Sequence, residues 1–250
     1  MVAGGSAEPG RSALSRAVAV LESFDHEHTR QTLSQISRRS GLHLTTTHRL
    51  VNELAGRRIL ARDTDGRYVI GRRMWELGLL APVNQDLREL ALPHLQDVHA
   101  VTRQTVHLAV RAETTALYVE RLVGSGSARV VSQMGSHLPL HATGVGKVLL
   151  AWAPESVVAE CLSNPVRVTP YTVVDPRELR RQLSDVRKQG FARTFEEMTL
   201  GVNSLAVPVT DPRGEVVAAL GVVIARTRRD LLSFVPVLRV AAGAVGRRLP

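Results

Sequence analysis

Apolar residues recur at helical spacing in three stretches near the start of the chain, residues 12–24, 32–40 and 44–55. Polar residues interrupt the pattern between the first two stretches, and Gly41 separates the second from the third. A glycine directly after a helix is a common helix end, because it adopts the left-handed conformation without strain. The pattern therefore predicts three short helices with a tight turn between the last two.

Two short strand-like segments follow the third helix, residues 59–62 and 67–70. Between them, the run Asp-Thr-Asp-Gly at residues 63–66 has the composition of a hairpin turn. Three helices followed by a β-hairpin are typical of a winged helix-turn-helix. A further helix is predicted over residues 71–80, and the Ala81–Pro82 pair that interrupts it predicts a domain boundary.

The second part of the chain alternates between the two periodicities. Helices are predicted over residues 85–102, 144–153, 175–189 and 230–249. Strands are predicted over residues 105–110, 116–123, 128–134, 191–196, 203–209 and 216–224. A mixed sheet flanked by helices gives an α+β fold class, and a domain of this size is large enough to enclose a ligand pocket.

The positive charge is concentrated in the predicted helix-turn-helix. The formal net charge is +9, and between Arg30 and Arg73 ten arginines face three carboxylates, a local net of 10 − 3 = +7. Such a segment attracts polyanions through phosphate contacts and counterion release. The alternative is a solvated, arginine-rich face with no partner.

The third predicted helix has a polar edge suited to duplex DNA. If its inner face is formed by apolar residues and Thr47, then Thr45, Arg49 and Asn52 point most directly away from the core. Hydroxyl, guanidinium and amide groups of this kind contact phosphates and base edges in the major groove. With two arginines of the preceding helix and two wing residues, the candidate DNA contacts are Arg38, Arg39, Thr45, Thr46, Thr47, His48, Arg49, Asn52, Arg67 and Tyr68.

Four ordered motifs resemble the IclR (isocitrate lyase regulator) family of transcriptional regulators over residues 12–245. They are GLHLTTTHRL at 41–50, RYVIG at 67–71, LPLHATGVGK at 138–147 and GVNSLAVPV at 201–209. The shorter runs TPYT at 169–172 and EE at 196–197 also fit in order and spacing. The resemblance implies a winged helix-turn-helix, a linker helix, a GAF-like effector domain, and a homodimer or dimer of dimers bound to operator DNA.

The resemblance also implies an effector pocket. Its positions in this chain are Leu138, Gly144, Val145, Thr194, Val202, Ser204, Gly221 and Val223. At four of them this chain departs from the family form that binds two- or three-carbon acids: Thr194 replaces an acid, Ser204 a cysteine, and Gly221 and Val223 two serines. We therefore expect a larger, less polar ligand, such as an aromatic or longer-chain acid or a lactone-like metabolite.

The helix that begins near Gly144 can also be interpreted from its own residues, independently of the resemblance. Its first-turn N–H groups lack intrahelical partners and carry partial positive charge, which suits a carboxylate. The alternative is that Gly144 and Gly146 only permit close packing on the sheet. A nucleotide-binding loop does not fit, because His141 and Val148 occupy positions where that motif needs Gly and Ser or Thr.

These observations predict four segments: a disordered tail over residues 1–10, the DNA-binding domain over 11–71, the linker helix over 72–86 and the effector-binding domain over 87–250. No signal peptide or bilayer-length apolar run is present, so we expect a cytoplasmic protein without membrane contact. The single cysteine, Cys161, excludes an internal disulfide and a cysteine-based zinc cluster.

The predicted function is ligand-controlled transcription regulation, with repression favoured over activation and the region 75–82 as the transmission element. Neither cofactor nor metal is expected. The histidine pairs 94/99 and 137/141 are not accompanied by the carboxylates or cysteines of a clear metal site. The chain is not expected to be an enzyme, because it carries no complete catalytic constellation. Two rivals remain: a small-molecule enzyme with an accessory DNA-binding domain, and a nucleoid-type protein that binds DNA without a ligand.

Overall fold

The computed structural model describes residues 12–80, 85–124, 131–226 and 230–250. The chain divides after residue 83 into two compact units, each with its own core. The predicted tail over 1–10 and the predicted boundary at 81–82 lie outside the described residues. The other predicted segment limits stay predictions.

The first unit has the predicted order of three helices, a hairpin and a fourth helix. Its elements are α1 (Ala13–Glu22), α2 (Leu33–Ser40), α3 (Leu44–Gly56), β1 (Leu60–Arg62), β2 (Tyr68–Ile70) and α4 (Arg72–Gly78). Strands β1 and β2 pair antiparallel. The winged helix-turn-helix expectation is confirmed for the N-terminal part of the chain.

Local chemistry sets both ends of α2. Thr32 caps the N-terminus by accepting from the Gln35 N–H, and the Gln35 side chain accepts from the Thr32 N–H in return, so two otherwise unpaired donors are satisfied. At the other end Gly41 adopts φ +67°, a left-handed conformation that favours glycine. The capping box thus sets where α2 begins, and Gly41 sets the short turn between α2 and α3.

The wing is joined to the helices by main-chain hydrogen bonds. Gln31 and Tyr68 exchange backbone bonds at 2.9 and 2.7 Å, forming an antiparallel bridge outside the hairpin. The buried Gln31 side chain also donates from Nε2 to the Ser23 carbonyl at 2.9 Å. The segment before α2 therefore holds the wing and the end of α1 together.

Gly71, between the wing and α4, lies against the end of the α3–β1 connection. Its N–H donates to the Ile59 carbonyl at 2.7 Å, and a Cβ placed on it would be 2.2 Å from the Arg58 carbonyl oxygen. Arg58 itself has φ +59°. Because the obstructing atom is backbone, only glycine fits this close approach.

The second unit contains a six-stranded sheet with helices on both faces. Its elements are α5 (Gln85–Thr102), β3 (Thr105–Ala112), β4 (Thr115–Leu122), β5 (His137–Pro139), α6 (Gly144–Ala151), α7 (Glu155–Ser163), α8 (Pro176–Gln189), β6 (Ala192–Phe195), β7 (Val202–Thr210), β8 (Val216–Ala225) and α9 (Val235–Gly246). Short 3₁₀ turns precede α6 and α9. The α+β expectation is confirmed.

The strand order is β5-β4-β3-β8-β7-β6, and every described pairing in it is antiparallel, whereas a mixed sheet was expected. Helices α5 and α9 pack on one face, and α6, α7 and α8 form a second core on the other. Of the strand expected over 128–134, residues 128–130 lie outside the description and 131–134 form no strand. The two edge strands of the sheet are β5 and β6.

We predict that Gly71→Ala destabilises the first unit by at least about 1–3 kcal/mol, because the added methyl group forces backbone to move. Urea unfolding followed by far-ultraviolet circular dichroism measures the change. Gly56→Ala is the matched control: a Cβ there meets nothing within 4 Å, and alanine is the better helix former. Equal stability of the two variants would contradict the close-approach argument.

Candidate DNA-binding surface and effector cavity

The buried face of α3 determines which side chains remain outside. Thr47, Leu50, Val51 and Leu54 are buried, as the helical spacing predicts. On the opposite side Thr45, His48, Arg49 and Asn52 are exposed and Thr46 is half-buried. Asn52 and His48 are joined by a 3.1 Å contact between Nδ2 and Nε2. The predicted polar edge is therefore open to a ligand.

Two of the candidate DNA contacts, Thr47 and Tyr68, are buried, contrary to the prediction. Thr47 is fully buried and its hydroxyl donates to the His43 carbonyl at 3.0 Å, so it packs in the core. Tyr68 is 3% exposed; its hydroxyl accepts from Arg62, whose guanidinium lies 4.7 Å from the ring centre. Neither side chain can reach DNA. Arg62, which sequence reasoning missed, is exposed instead.

Arg39 is held by its own domain. Its Nε donates to the Ser23 carbonyl at 2.7 Å, and its Nη2 lies 2.5 Å from the Asp25 carboxylate. The same carboxylate accepts from His28, which holds the pKa of Asp25 at about 2. Arg39 thus fastens α2 to the segment after α1, a role the sequence pattern did not indicate.

Several arginines in the first unit have no carboxylate partner. All ten between Arg30 and Arg73 are exposed. Five of them form ion pairs with Asp or Glu. Within residues 12–80 the others make no such pair: Arg38, Arg49, Arg58, Arg62 and Arg67. Exposed, unpaired guanidinium groups are the chemistry that phosphates attract.

In the second unit, all eight predicted pocket positions line one cavity. Its volume is about 470 Å³, which includes space open to solvent. The eight positions come from β5, the start of α6 and strands β6, β7 and β8. The wall also contains residues that sequence reasoning missed: His107, Tyr118, Val131, Ser132, Met198 and Thr199. Strand alternation over 105–110 was the one signal that placed His107 on a definite face of the sheet.

The start of α6 carries the polar end of the cavity. Thr143 caps the helix by accepting from the Gly146 N–H at 3.0 Å, and the Gly144 N–H donates to Ser204 Oγ at 3.2 Å. Ser204 Oγ also lies 2.6 Å from Thr194 Oγ1. Among the described residues the Val145 N–H has no acceptor. Of the first-turn donors, that one is left for a ligand.

Two aromatic side chains form another part of the cavity wall. His107 and Tyr118 meet edge to face, with ring centres 5.0 Å apart. Burial lowers the pKa of His107 to about 3, aided by the Arg121 charge, and its Nε2 lies 3.0 Å from Ser132 Oγ. Burial raises the pKa of Tyr118. Both rings are therefore neutral at physiological pH, and the wall suits an apolar or aromatic ligand body.

A buried ion pair holds the cavity wall in place. Lys147 of α6 is 1% exposed, and its Nζ donates to both Glu197 oxygens at 2.6 and 2.8 Å and to Gln182 Oε1 at 2.7 Å. Burial lowers the pKa of Lys147 and raises that of Glu197, and their mutual attraction opposes both shifts. Glu197 directly precedes Met198 and Thr199, so the pair positions the cavity-lining loop.

The TPYT run at residues 169–172 is hydrogen-bonded to the same loop. Thr169 and Thr172 donate their hydroxyls to the carbonyls of Glu196 and Glu197 at 2.7 and 2.6 Å. Glu196 itself has φ +55°, and its carboxylate accepts from the Gly201 N–H at 2.7 Å. The two shorter family motifs thus form one structural unit around the loop.

The remaining chemical groups lie apart from these sites. No cluster of three or more His, Cys, Asp or Glu able to hold a metal ion occurs among the residues described. Burial raises the pKa of Cys161. None of the described helices is both long and apolar enough to span a bilayer.

Known proteins match both units. The IclR helix-turn-helix domain matches residues 13–64, and the bacterial transcriptional regulator IclR C-terminal domain matches residues 81–247. The chain is 32% identical over 240 residues to the HTH-type transcriptional regulator XynR of Escherichia coli K12, covering 94% of this chain and 95% of that one. It is 32% identical over 225 residues to the HTH-type transcriptional repressor AllR of the same strain, covering 87% and 83%.

A solved structure of an IclR homolog has a similar fold. An IclR homolog from Microbacterium hydrocarbonoxydans, complexed with 4-hydroxybenzoate, is 37% identical, with a TM-score of 0.88 over 94% of this chain and 98% of that one. Fold and comparisons together define a DNA-binding transcription regulator with a winged helix-turn-helix. The chain belongs to the IclR family of bacterial transcriptional regulators.

We predict that Lys147→Met lowers the free energy of unfolding of the second unit by about 3–5 kcal/mol, because it leaves the Glu197 carboxylate buried without a counter-charge. Adding Glu197→Leu should recover part of the loss, since an apolar pair can replace a buried ion pair. Urea unfolding provides the measurement.

Arg180→Met is the control for that experiment. Arg180 pairs with Glu155 at 2.7 Å, but both side chains are more than half exposed, so its loss should change stability little. A Lys147→Met variant as stable as Arg180→Met would contradict the role given to the buried pair.

Proposed function

We propose that this regulator represses transcription by binding an operator as a dimer, and that an organic acid bound in the second unit changes its affinity for DNA. The observation that carries the proposal is the coexistence of an open, arginine-rich recognition face and a cavity lined by all eight expected effector positions. The chain acts by binding rather than catalysis, without a cofactor, in the cytoplasm where the chromosome lies.

For DNA, the support is the geometry of α3. Thr45, Arg49 and Asn52 project from one exposed edge, and a recognition helix of this kind enters the major groove. Arg38 and Arg67, exposed and unpaired with any carboxylate of residues 12–80, supply phosphate contacts from α2 and the wing. Base readout is assigned to Asn52 and Arg49, and positioning to the surrounding arginines.

Repression is favoured by the comparison with AllR, which is a repressor. Dimerisation is supported by apolar side chains left exposed in the first unit. Leu14 on α1 is 74% exposed and Trp75 on α4 is 63% exposed. Two-fold pairing would cover such side chains and place two recognition helices on a pseudo-palindromic site. Sedimentation of the DNA-bound chain distinguishes dimer from dimer of dimers.

For the effector, the support is the character of the cavity. One end offers the Ser204 and Thr194 hydroxyls and the Val145 N–H, and the rest of the wall combines aromatic and aliphatic side chains with the polar side chains of Ser132, Thr199 and Asn203. A Cβ on Gly221 would lie 3.0 Å from both the Leu205 carbonyl oxygen and Val145 Cγ1, so neighbouring atoms already fill the space directly above β8. These features fit an aromatic acid, the class of ligand held by the 37% identical Microbacterium homolog.

We predict that Arg49→Ala weakens binding to the chain's selected operator by about 1–3 kcal/mol if Arg49 reads a base, or lowers the salt slope by about one if it contacts a phosphate. The operator comes from selection among random duplexes, and fluorescence anisotropy at several salt concentrations measures both quantities. Arg193→Ala removes an equal charge from β6 of the second unit and should change neither. If Arg49→Ala changes neither the operator affinity nor the salt slope, Arg49 does not contact the DNA.

We predict that 4-hydroxybenzoate and benzoate bind more tightly than pyruvate or glyoxylate in calorimetric titration, because the small acids leave the apolar wall unfilled. The bound aromatic acid should change operator affinity roughly 5- to 150-fold. Gly221→Ser serves as a control, since a Cβ there lies 3.0 Å from Val145 Cγ1 and narrows the cavity. Tight binding of the small keto acids, or operator affinity that ignores a bound ligand, would refute this assignment.

A further inference from the structure

Arg121 lies on β4, on the strand next to the wall of the cavity that the eight expected positions line. It is the direct antiparallel partner of His107, and opposed residues of two paired strands lie on the same face of the sheet. His107 lines the cavity together with Val131 and Ser132. Arg121 therefore stands on the cavity face of the sheet, one strand beyond the wall.

The guanidinium of Arg121 has no counter-ion among the described residues. Its Nε is buried and makes no hydrogen bond there, and no carboxylate lies within ion-pair distance. The neighbouring Glu120 is already occupied: it pairs with Arg88 of α5 at 2.6 Å and accepts from the Arg121 backbone N–H at 2.9 Å. Glu120 opposes Leu108, so it lies on the other face of the sheet.

The polar groups beside Arg121 cannot neutralise it. His107 is uncharged, since burial and the Arg121 charge both disfavour its protonation. Its Nε2 is joined to the Ser132 hydroxyl at 3.0 Å. A partly buried cation without an anion is costly, and an anionic ligand at this end of the cavity would remove that cost.

We propose that Arg121 supplies the positive charge that binds the carboxylate of the effector, at the end of the cavity formed by His107 and Ser132. The Thr194–Ser204 hydroxyl pair and the Val145 N–H then bind the second polar group of the ligand. The register aligns His107 on β3 with Ala206 on β7 through Gly221, and Ser204 lies two residues further along β7, so the Cα atoms of His107 and Ser204 are about 12 Å apart. That separation accommodates one aromatic ring with a polar group at each end.

This inference rests on the proposed effector function and gives the ligand an orientation. The test compares an acid with its neutral amide: 4-hydroxybenzoate against 4-hydroxybenzamide, titrated calorimetrically into the full chain. The unsubstituted protein should prefer the acid. Arg121→Gln should weaken acid binding at least about tenfold and leave amide binding unchanged, and Arg121→Lys should retain part of the preference for the acid.

Arg111→Gln is the matched control, because Arg111 is an exposed arginine of β3 outside the cavity wall, and it should preserve the preference for the acid. Equal losses for acid and amide in Arg121→Gln would show a structural role and overturn the proposal, as would no loss at all. Thermal unfolding checks the fold, and if the glutamine variant is unstable, Arg121→Lys decides: a reduced but retained preference for the acid supports the proposal, and an unchanged or absent preference overturns it. Failure of the unsubstituted protein to bind either compound would overturn the aromatic-acid assignment along with this one.

Discussion

The ion pair between Lys147 and Glu197 is the constraint on which the cavity of the second unit depends. It joins the helix whose first turn carries the polar end of the cavity to the loop that carries Met198 and Thr199. Two charges removed from water are tolerated only when their partners are well placed, and here the lysine has three acceptors within 2.8 Å. The geometry of the cavity consequently depends on a contact outside the cavity wall.

In the DNA-binding unit the corresponding constraint is the buried side of α3. Its amphipathic pattern decides which residues face outward before any contact with DNA forms. The left-handed Gly41 sets the turn into α3, and the Gln31–Tyr68 bridge joins the wing to the segment before α2. A rigid scaffold of this kind lets side chains on the exposed edge vary without loss of the fold.

Much of this architecture could be predicted from the sequence, because periodicity and turn chemistry are local. They located α2, α3 and the wing, and the motif at 138–147 located the cavity. Thr47 and Tyr68 were misassigned because a buried hydroxyl can be satisfied within its own fold, by His43 and Arg62 respectively. The tie from Arg39 to Asp25 and the register that sets Arg121 opposite His107 join residues 14 apart in sequence. Contacts between residues so far apart in sequence produce no periodic pattern of hydrophobic and polar positions.

The Ser204–Thr194 contact has a consequence for ligand choice that follows from counting protons. Two hydroxyl groups 2.6 Å apart share one proton between their oxygens, and the Gly144 N–H already donates to Ser204. Whichever hydroxyl donates within the pair, the other keeps a proton that points elsewhere. This end of the cavity therefore always offers a donor, whose direction can reverse, so it accommodates a phenolate, ether or carbonyl oxygen more readily than an ammonium group.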